Sequence, residues 1–150
     1  MPVTAVKSRW VGGELYFYDA AGQVIARFGA GGVGSTKVVN LAAATQALTA
    51  EQSGQRFVGA VDAVFTLPAA GAATKGVQYE FECGALSVGT GLSVSPAAAD
   101  AIAGNGLTAV ANKDLVNTGA SDRLGDSATI YCDGVQWVIA SIIGTWAKEA

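Results

Sequence analysis

The chain has 150 residues, of which 51% are hydrophobic and 14% charged, and its formal net charge is −3. This length is typical of a single domain that buries its own core, while the acidic balance and the scattered Lys and Arg argue against a nucleic-acid-binding surface. No apolar run reaches the ~20 residues that a membrane-spanning helix needs, and the first residues lack the apolar region of a signal peptide. We therefore expect a chain that is made in the cytoplasm and binds neither nucleic acid nor membrane.

Histidine is absent from the sequence, and cysteine occurs only at Cys83 and Cys132. Without histidine, Ser-His-Asp and Cys-His nucleophiles and most transition-metal sites are excluded, and two cysteines are too few for a structural zinc. Any enzyme mechanism would then have to use carboxylates, Lys, Tyr or backbone groups, and we expect neither a metal nor a cofactor. Both cysteines lie in strand-like runs, so we expect buried free thiols. A disulfide between them would require the two strands to pair.

Residues 14–28 (ELYFYDAAGQVIARF) contain two runs rich in aromatic and β-branched residues on either side of a turn that ends at Gly22. Each run alternates in the way that gives a strand two different faces. This pattern predicts a β-hairpin with a short glycine-containing loop.

A glycine-rich stretch, residues 27–40 (RFGAGGVGSTKVVN), contains the G-x-G-x-x-G pattern of dinucleotide-binding loops. That pattern needs a helix directly after the glycines and an acidic residue ~20 positions later, but residues 38–40 (VVN) make a poor first helical turn. A phosphate-binding loop also needs Lys directly after its last glycine, where this chain has Ser35. We therefore interpret the stretch as a flexible joint rather than a nucleotide site.

From about residue 48 onwards, the sequence pattern is that of short elements, mostly strands. Thr49 and Gln52 have the spacing of a capping box, which predicts a short helical turn that ends at Gly54. Residues 55–70 (QRFVGAVDAVFTLPAA) predict two short strands, the second of which ends at Pro68.

The clearest strand pattern lies in residues 76–89 (GVQYEFECGALSVG). Apolar and polar residues alternate there, which is typical of a strand with one face in the core. The apolar face carries Val77, Tyr79 and Phe81, and the polar face carries Gln78, Glu80 and Glu82.

The C-terminal half continues with short elements. Residues 91–96 (GLSVSP) predict a strand, residues 96–106 a turn or one helical turn, and residues 107–126, which show little periodicity, a loop-rich region. Asp133-Gly134, between two β-rich runs, is a strong hairpin signal.

Many short strands separated by turn residues, without a long amphipathic helix, indicate an all-β fold: an antiparallel β-sandwich or barrel of short strands with an N-terminal arm or hairpin and one or two short helical turns. Because helices do not alternate with strands, a parallel sheet is not expected. The change in composition near residue 48 predicts two parts, an N-terminal arm and hairpin with a glycine-rich joint (1–47) and a β-sandwich or barrel module (48–150).

Two carboxylate pairs could in principle perform acid–base chemistry. Glu80 and Glu82 lie on one strand face, and Asp122 and Asp126 lie in a glycine-containing loop, so we expect solvent exposure or turn capping for both pairs. Trp137 lies in an apolar run and is expected in the core or in packing between subunits.

Four segments together resemble the head decoration, or cement, proteins of tailed bacteriophages, which have related β modules in phage head and tail fibres. They are LTAEQSGQRFVGAVDAVFTLPAA (48–70), GVQYEFECG (76–84), LSVSPAAADAIAGNG (92–106) and GDSATIYCDGVQWVIASIIGTW (125–146). The resemblance covers about residues 48–147, roughly two-thirds of the chain.

The resemblance implies a small β protein, commonly a homotrimer, that sits on the outer surface of the capsid in the virion and clamps neighbouring major capsid subunits after synthesis in the host cytoplasm. It carries over no catalytic residue. Because aromatic and Arg residues anchor interfaces, we expect partner contacts in the N-terminal part, at Arg9, Trp10, Tyr16, Tyr18 and Arg27. The alternative is a fibre-tip or receptor-binding module that recognises a host surface glycan through loops such as 105–127 and an exposed Trp.

Overall fold

The structure is a computed structural model. It describes residues 7–11, 14–18, 24–28, 38–40, 44–87, 89 and 91–150, and for the strands before residue 38 it describes the backbone pairing. Internal contacts divide the chain into two compact units, residues 1–36 and 37–150.

The first unit contains a three-stranded antiparallel sheet in the order β1-β2-β3. Its strands are β1 (Lys7–Val11), β2 (Glu14–Tyr18) and β3 (Val24–Phe28). The second and third strands pair as the two arms of the predicted hairpin, whereas β1 is not predicted. The loop at 19–23 and the glycine-rich residues 29–37 lie outside the described residues, so the nucleotide interpretation of that stretch stays untested by the structure.

The second unit is an all-β sandwich, as the sequence predicts. In the described residues it has a seven-stranded large sheet, β11-β10-β14-β13-β8-β6-β4, and a five-stranded small sheet, β15-β12-β9-β7-β5. The strands are β4 (Val38–Asn40), β5 (Thr45–Ala47), β6 (Arg56–Gly59), β7 (Val64–Thr66), β8 (Gln78–Cys83), β9 (Gly91–Ser95), β10 (Ala101–Gly104), β11 (Leu107–Ala111), β12 (Leu115–Thr118), β13 (Ser127–Cys132), β14 (Trp137–Ile143) and β15 (Trp146–Lys148). The first two of these strands precede residue 48 and pair with β6 and β7.

Both sheets are mixed rather than purely antiparallel, which corrects the predicted strand direction. From β4 to β10 the chain alternates between the two sheets, and each strand from β4 to β7 pairs with the strand two places later in the chain. The pairs β4–β6, β6–β8, β5–β7 and β7–β9 are parallel for this reason. A strand in the opposite sheet thus takes the place of the helix that usually connects parallel strands.

The core lies between the sheets and is rich in aromatic rings. Phe57 and Phe81 from the large sheet and Phe65 from the small sheet are fully buried, and the ring centroids of Phe65 and Phe81 are 5.2 Å apart. Trp137 stacks on Tyr79 at 5.5 Å and donates a hydrogen bond from its indole N–H to the Pro68 carbonyl. Its predicted place in the core is confirmed.

A single turn of 3-10 helix (Ala50–Gln52) confirms the helical turn predicted at the capping-box sequence. The Thr49 backbone N–H donates to the Gln52 side-chain oxygen at 2.9 Å. The Thr49 carbonyl in turn accepts from the Tyr79 hydroxyl at 2.7 Å, which ties the turn to the core. Burial raises the pKa of Tyr79 to about 12.

Two predictions for the region 96–126 are wrong in part. Of the turn or helical turn predicted at 96–106, the structure has a turn at residues 98–99, which leads into strand β10 instead of a helix. The predicted loop-rich region contains β11 and β12. In β11 four of the five residues are exposed, so neither face has a hydrophobic pattern that the sequence could reveal. β12 is too short to show a clear period.

Cys83 and Cys132 are buried and free. Their strands pair, but the register places Glu82 opposite Ser127 and Gln78 opposite Tyr131. The two thiols therefore lie at opposite ends of the same strand pair, about 20 Å apart at ~3.4 Å per residue. A disulfide between them is excluded by this register.

Candidate functional site

A cleft of about 710 Å³ opens at one end of the sandwich. We call this end the loop end, and define it by residues 119–126 and 143–145. The cleft is lined by Ala120, Ser121, Asp122, Arg123, Asp126, Ile143, Gly144 and Thr145. It contains two carboxylates, one guanidinium and two hydroxyl groups, and none of its lining residues is aromatic.

Asp126 lines this cleft although it is only 5% exposed. Its Oδ2 accepts hydrogen bonds from the Asn117 side-chain amide at 3.0 Å and from the Arg123 backbone N–H at 3.1 Å. Its backbone carbonyl accepts from the Cys83 N–H. A buried polar group is costly unless it is hydrogen-bonded, so these contacts fix the carboxylate at the start of β13.

Asn117 carries this network from one sheet to the other. It lies on β12 of the small sheet and is fully buried, and its amide nitrogen also donates to the Thr145 carbonyl at 3.0 Å. We call Asp126, Asn117 and the Thr145 carbonyl the polar clasp. It joins the loop before β13, the strand β12 and the turn between β14 and β15.

Gly144 is required where it stands. Its φ is +88°, and a Cβ there would lie 2.1 Å from Cγ of Asp126. Any side chain at this position would therefore collide with the buried carboxylate as well as strain the backbone.

Asp122 stands at the mouth of the cleft and holds a neighbouring loop. Its Oδ2 accepts from both the backbone N–H and the hydroxyl of Ser87, at 2.7 and 2.6 Å. These hydrogen bonds lower the pKa of Asp122. Burial, together with the charge of Asp122, raises the pKa of Cys83 behind it, which keeps that thiol protonated and unreactive.

The predicted environments of the two carboxylate pairs are only partly right. Glu80 and Glu82 are half-buried and share Arg56 of the neighbouring strand, at 2.7 and 2.8 Å. The hydrogen bond and charge of Glu80 raise the pKa of Arg56.

Asp122 caps a loop as expected. Asp126 caps its own turn by accepting from the Arg123 N–H, as predicted. It is almost fully buried rather than exposed, because Asn117 of β12 also donates to its carboxylate and Cys83 of β8 to its backbone carbonyl.

The residues predicted as partner contacts lie on the three-stranded sheet of the first unit. Arg9 pairs with Tyr16, and Tyr16 with Arg27, so these three occupy one row across the sheet. Trp10 pairs with Leu15, and Tyr18 with Lys7 and Val24. The role of these residues in binding a partner stays a prediction.

Sequence reasoning misses Asn117 and Gly144 as members of the site. The one signal for Asn117 is its alternation with Leu115 in the run LVNT (115–118). Nothing local distinguishes Gly144 from the other glycines, because its requirement comes from Asp126, which is 18 positions away in the sequence.

In the part of the chain that the structure describes, no three His, Cys, Asp or Glu side chains are arranged to hold a metal ion. A helix long and apolar enough to span a membrane is likewise not found among the described residues. The chain matches no protein-family model, and a search of curated proteins gives no significant match.

Proposed function

We propose that this protein is a structural virion protein, a phage capsid decoration protein that binds the outer surface of the shell and clamps neighbouring major capsid subunits. In this role it is not an enzyme, and it works as a homotrimer. Stabilisation arises by linkage: because the protein binds the assembled shell and not free capsid subunits, it shifts the equilibrium towards the intact particle.

The observation that carries the proposal is the edge strand β11. It lies at the end of the large sheet and pairs, within the described residues, with β10 alone. Its residues LTAVA carry no charge and no proline, and four of the five are exposed. Proteins usually protect such an edge, and an unprotected edge can accept an extended segment of a partner by main-chain hydrogen bonds.

The sequence favours the same role through the N-terminal unit. The resemblance to decoration proteins begins near residue 48. The three-stranded sheet of the first unit, which precedes it, would therefore provide an additional contact with the shell. The row of Arg9, Tyr16 and Arg27 combines the residue types that anchor protein interfaces.

Two changes on purified capsids of the parent phage test the proposal. Val110→Lys places a charge on β11, and deletion of residues 1–13 removes β1; we expect each to lower capsid occupancy about tenfold, the loss that one interface anchor gives. Val135→Lys, at a residue 81% exposed in the loop between β13 and β14, is the matched control and should bind normally. If folded Val110→Lys binds like the parent protein, the edge-strand interface is wrong; if the deletion leaves occupancy unchanged, the arm contact is wrong.

The alternative, a receptor-binding module for a host glycan, finds support in the polar cleft, because its loop falls within the predicted 105–127 region. Against it, both described tryptophan side chains, Trp137 and Trp146, are buried, and sugar binding usually uses an exposed aromatic ring. Binding on a glycan array, or a position at the tail tip in micrographs of the particle, would favour this alternative over capsid decoration.

A further inference from the structure

We propose that the cleft at the loop end binds a cationic side chain, an ammonium or guanidinium group, on an extended segment of a partner protein. This site is separate from β11 and from the N-terminal residues that the proposed function uses. It does not depend on which partner the whole protein serves.

The central observation is the unequal use of the two carboxylate oxygens of Asp126. Oδ2 accepts from Asn117 and Arg123, whereas no N–H or O–H group of the described residues donates to Oδ1. The side chain is 95% buried and still lines the cleft. Among the described residues, the fully buried side-chain acceptors without a partner are Gln55 Oε1 and Asn117 Oδ1. Asp126 Oδ1 is therefore open to the cleft and is the acceptor that an entering donor reaches.

A charged donor fits this position better than a neutral one. Hydrogen bonds between a carboxylate and a cationic donor are about twice as strong as those between neutral groups. Asp122 adds a second carboxylate to the cleft lining. The sandwich unit as a whole carries ten acidic and six basic residues, so its field attracts a basic partner.

The cleft is also preorganised for such a group. Asn117 and the Arg123 N–H hold Oδ2 of Asp126, and the carboxylate packs against Gly144, where a Cβ would lie 2.1 Å from its Cγ. A charged acceptor that is already fixed loses little freedom when the donor arrives.

The rim of the cleft points to a protein segment rather than to a free small cation. Ile143, which lines the cleft, is 64% exposed, and Leu124, which follows the lining residue Arg123 in the chain, is 65% exposed. Large apolar side chains so close to a charged site are available to contact the apolar neighbours of an entering residue. In protein interfaces, the contacts that surround an anchoring residue exclude water from it.

Arg123 is the one basic residue that lines the cleft. Its side chain makes no ion pair with a carboxylate of the described residues. It therefore does not neutralise Asp126 by pairing with it, and it repels an entering cation. Removing the charge of Arg123 should tighten cation binding, which is the opposite of the effect expected from removing the charge of Asp126.

Binding can be measured on the full-length protein by NMR titration of the Gly144 and Thr145 amides. The probes are n-butylammonium, the neutral n-butanol, and the capped tripeptide Ac-Leu-Lys-Leu-NH2, each up to about 50 mM, a range that detects millimolar dissociation constants. We expect saturable shifts with both cationic probes, at least tenfold tighter binding of the tripeptide, and no saturable shift with butanol.

Variants assign the binding to the cleft. Asp126→Asn should abolish the shifts, Glu149→Gln, which removes one exposed carboxylate elsewhere, should leave them unchanged, and Arg123→Gln should tighten n-butylammonium binding about threefold. If Asp126→Asn does not fold, Leu124→Ser serves instead: it should weaken the tripeptide and leave n-butylammonium unchanged.

Three results would overturn the proposal. They are the absence of saturable shifts, equal shifts with butanol, and equal affinity for n-butylammonium and the tripeptide, which would make the cleft a site for free amines. None of these results depends on capsid binding, so the cleft and the decoration function can fail independently.

Discussion

The two ends of the β13–β14 strand pair are each organised by an aspartate, and they differ in reach. At the hairpin end, which we define as residues 133–136, Asp133 Oδ1 accepts from the backbone N–H groups of Val135 and Gln136, at 2.7 and 2.9 Å. At the loop end, Asp126 is held by Asn117 of the other sheet and by its own turn. The first aspartate shapes a local turn, and the second fastens the two sheets together.

This difference shows that an aspartate next to a glycine in the sequence does not by itself indicate whether the side chain caps a local turn or links distant segments. Asp133 is followed by Gly134 and Asp126 is preceded by Gly125, and the two aspartates flank β13 on its two sides. What separates them is burial, because a carboxylate can hold distant segments only where water does not compete for it.

The largest expected effect tests the loop end. Gly144→Ala should destabilise the protein by about 3 kcal/mol, because it combines a left-handed backbone, worth about 1–2 kcal/mol, with displacement of the buried Asp126. Gly125→Ala is the matched control: its φ is +86° but a Cβ there meets nothing within 4 Å, so we expect only the cost of the left-handed backbone, about 1–2 kcal/mol. Urea denaturation measures both. Equal losses would mean that Asp126 is not held against Gly144.

The second prediction uses double-mutant cycles to compare the coupling of Asn117 with the aspartates at the loop end and at the hairpin end. Asn117→Ala and Asp126→Ala should show a coupling free energy of about 1–2 kcal/mol, since their side chains hydrogen-bond directly. The control cycle pairs Asn117→Ala with Asp133→Ala and should be additive within about 0.5 kcal/mol. Additivity in the first cycle would refute the clasp as a link between the sheets.

The labelling rates of the two thiols measure how readily the loop end and the hairpin end of the strand pair open. Cys83 contacts the clasp through Asp126, whereas Cys132 lies beside the hairpin loop and accepts from the Gly134 N–H. We expect iodoacetamide to label Cys132 about tenfold faster under native conditions, because the hairpin opens more readily and the raised pKa of Cys83 disfavours its thiolate. The variants Cys83→Ala and Cys132→Ala, followed by mass spectrometry, isolate each rate. Faster labelling of Cys83 would reverse the predicted order of stability.

The smallest effect concerns pH at the hairpin end. Hydrogen bonds from the Gln136 and Val135 N–H groups lower the pKa of Asp133. A carboxylate with a lowered folded-state pKa contributes stability above its unfolded pKa of about 3.9, and that contribution is lost as the pH falls further through the folded pKa. The parent protein should therefore exceed Asp133→Asn in thermal stability at neutral pH, with the difference shrinking in acid. A difference that does not change with pH would assign the effect to geometry rather than charge.

The structural features that are predicted correctly from the sequence are those that depend on interactions between residues close together in the chain. The Asp133-Gly134 hairpin, the alternation in β8 and the capping-box turn at Thr49 each depend on residues within a few positions of one another, and the structure confirms them. The clasp depends on contacts of Asn117 with residues 9 and 28 positions away. No local pattern encodes which distant backbone a side chain will meet, so the burial of Asp126 and the need for Gly144 are visible only in three dimensions.

Strand direction is missed for a related reason. Parallel neighbours are usually recognised by the helix that connects them, and here the connecting element is a strand of the other sheet. A strand that crosses to the opposite sheet has the same alternation as one that turns back on itself.

The alternation of β4 to β10 between the sheets also bears on how the chain folds. No two consecutive strands in that stretch pair with each other, so no hairpin there can form early and serve as a template. The β13–β14 hairpin closes a loop of only four residues, and loop closure of that length takes place within microseconds. We expect the C-terminal hairpin to be structured first, with the remainder of the sandwich assembling on it in one slow, cooperative step typical of distant strand pairing.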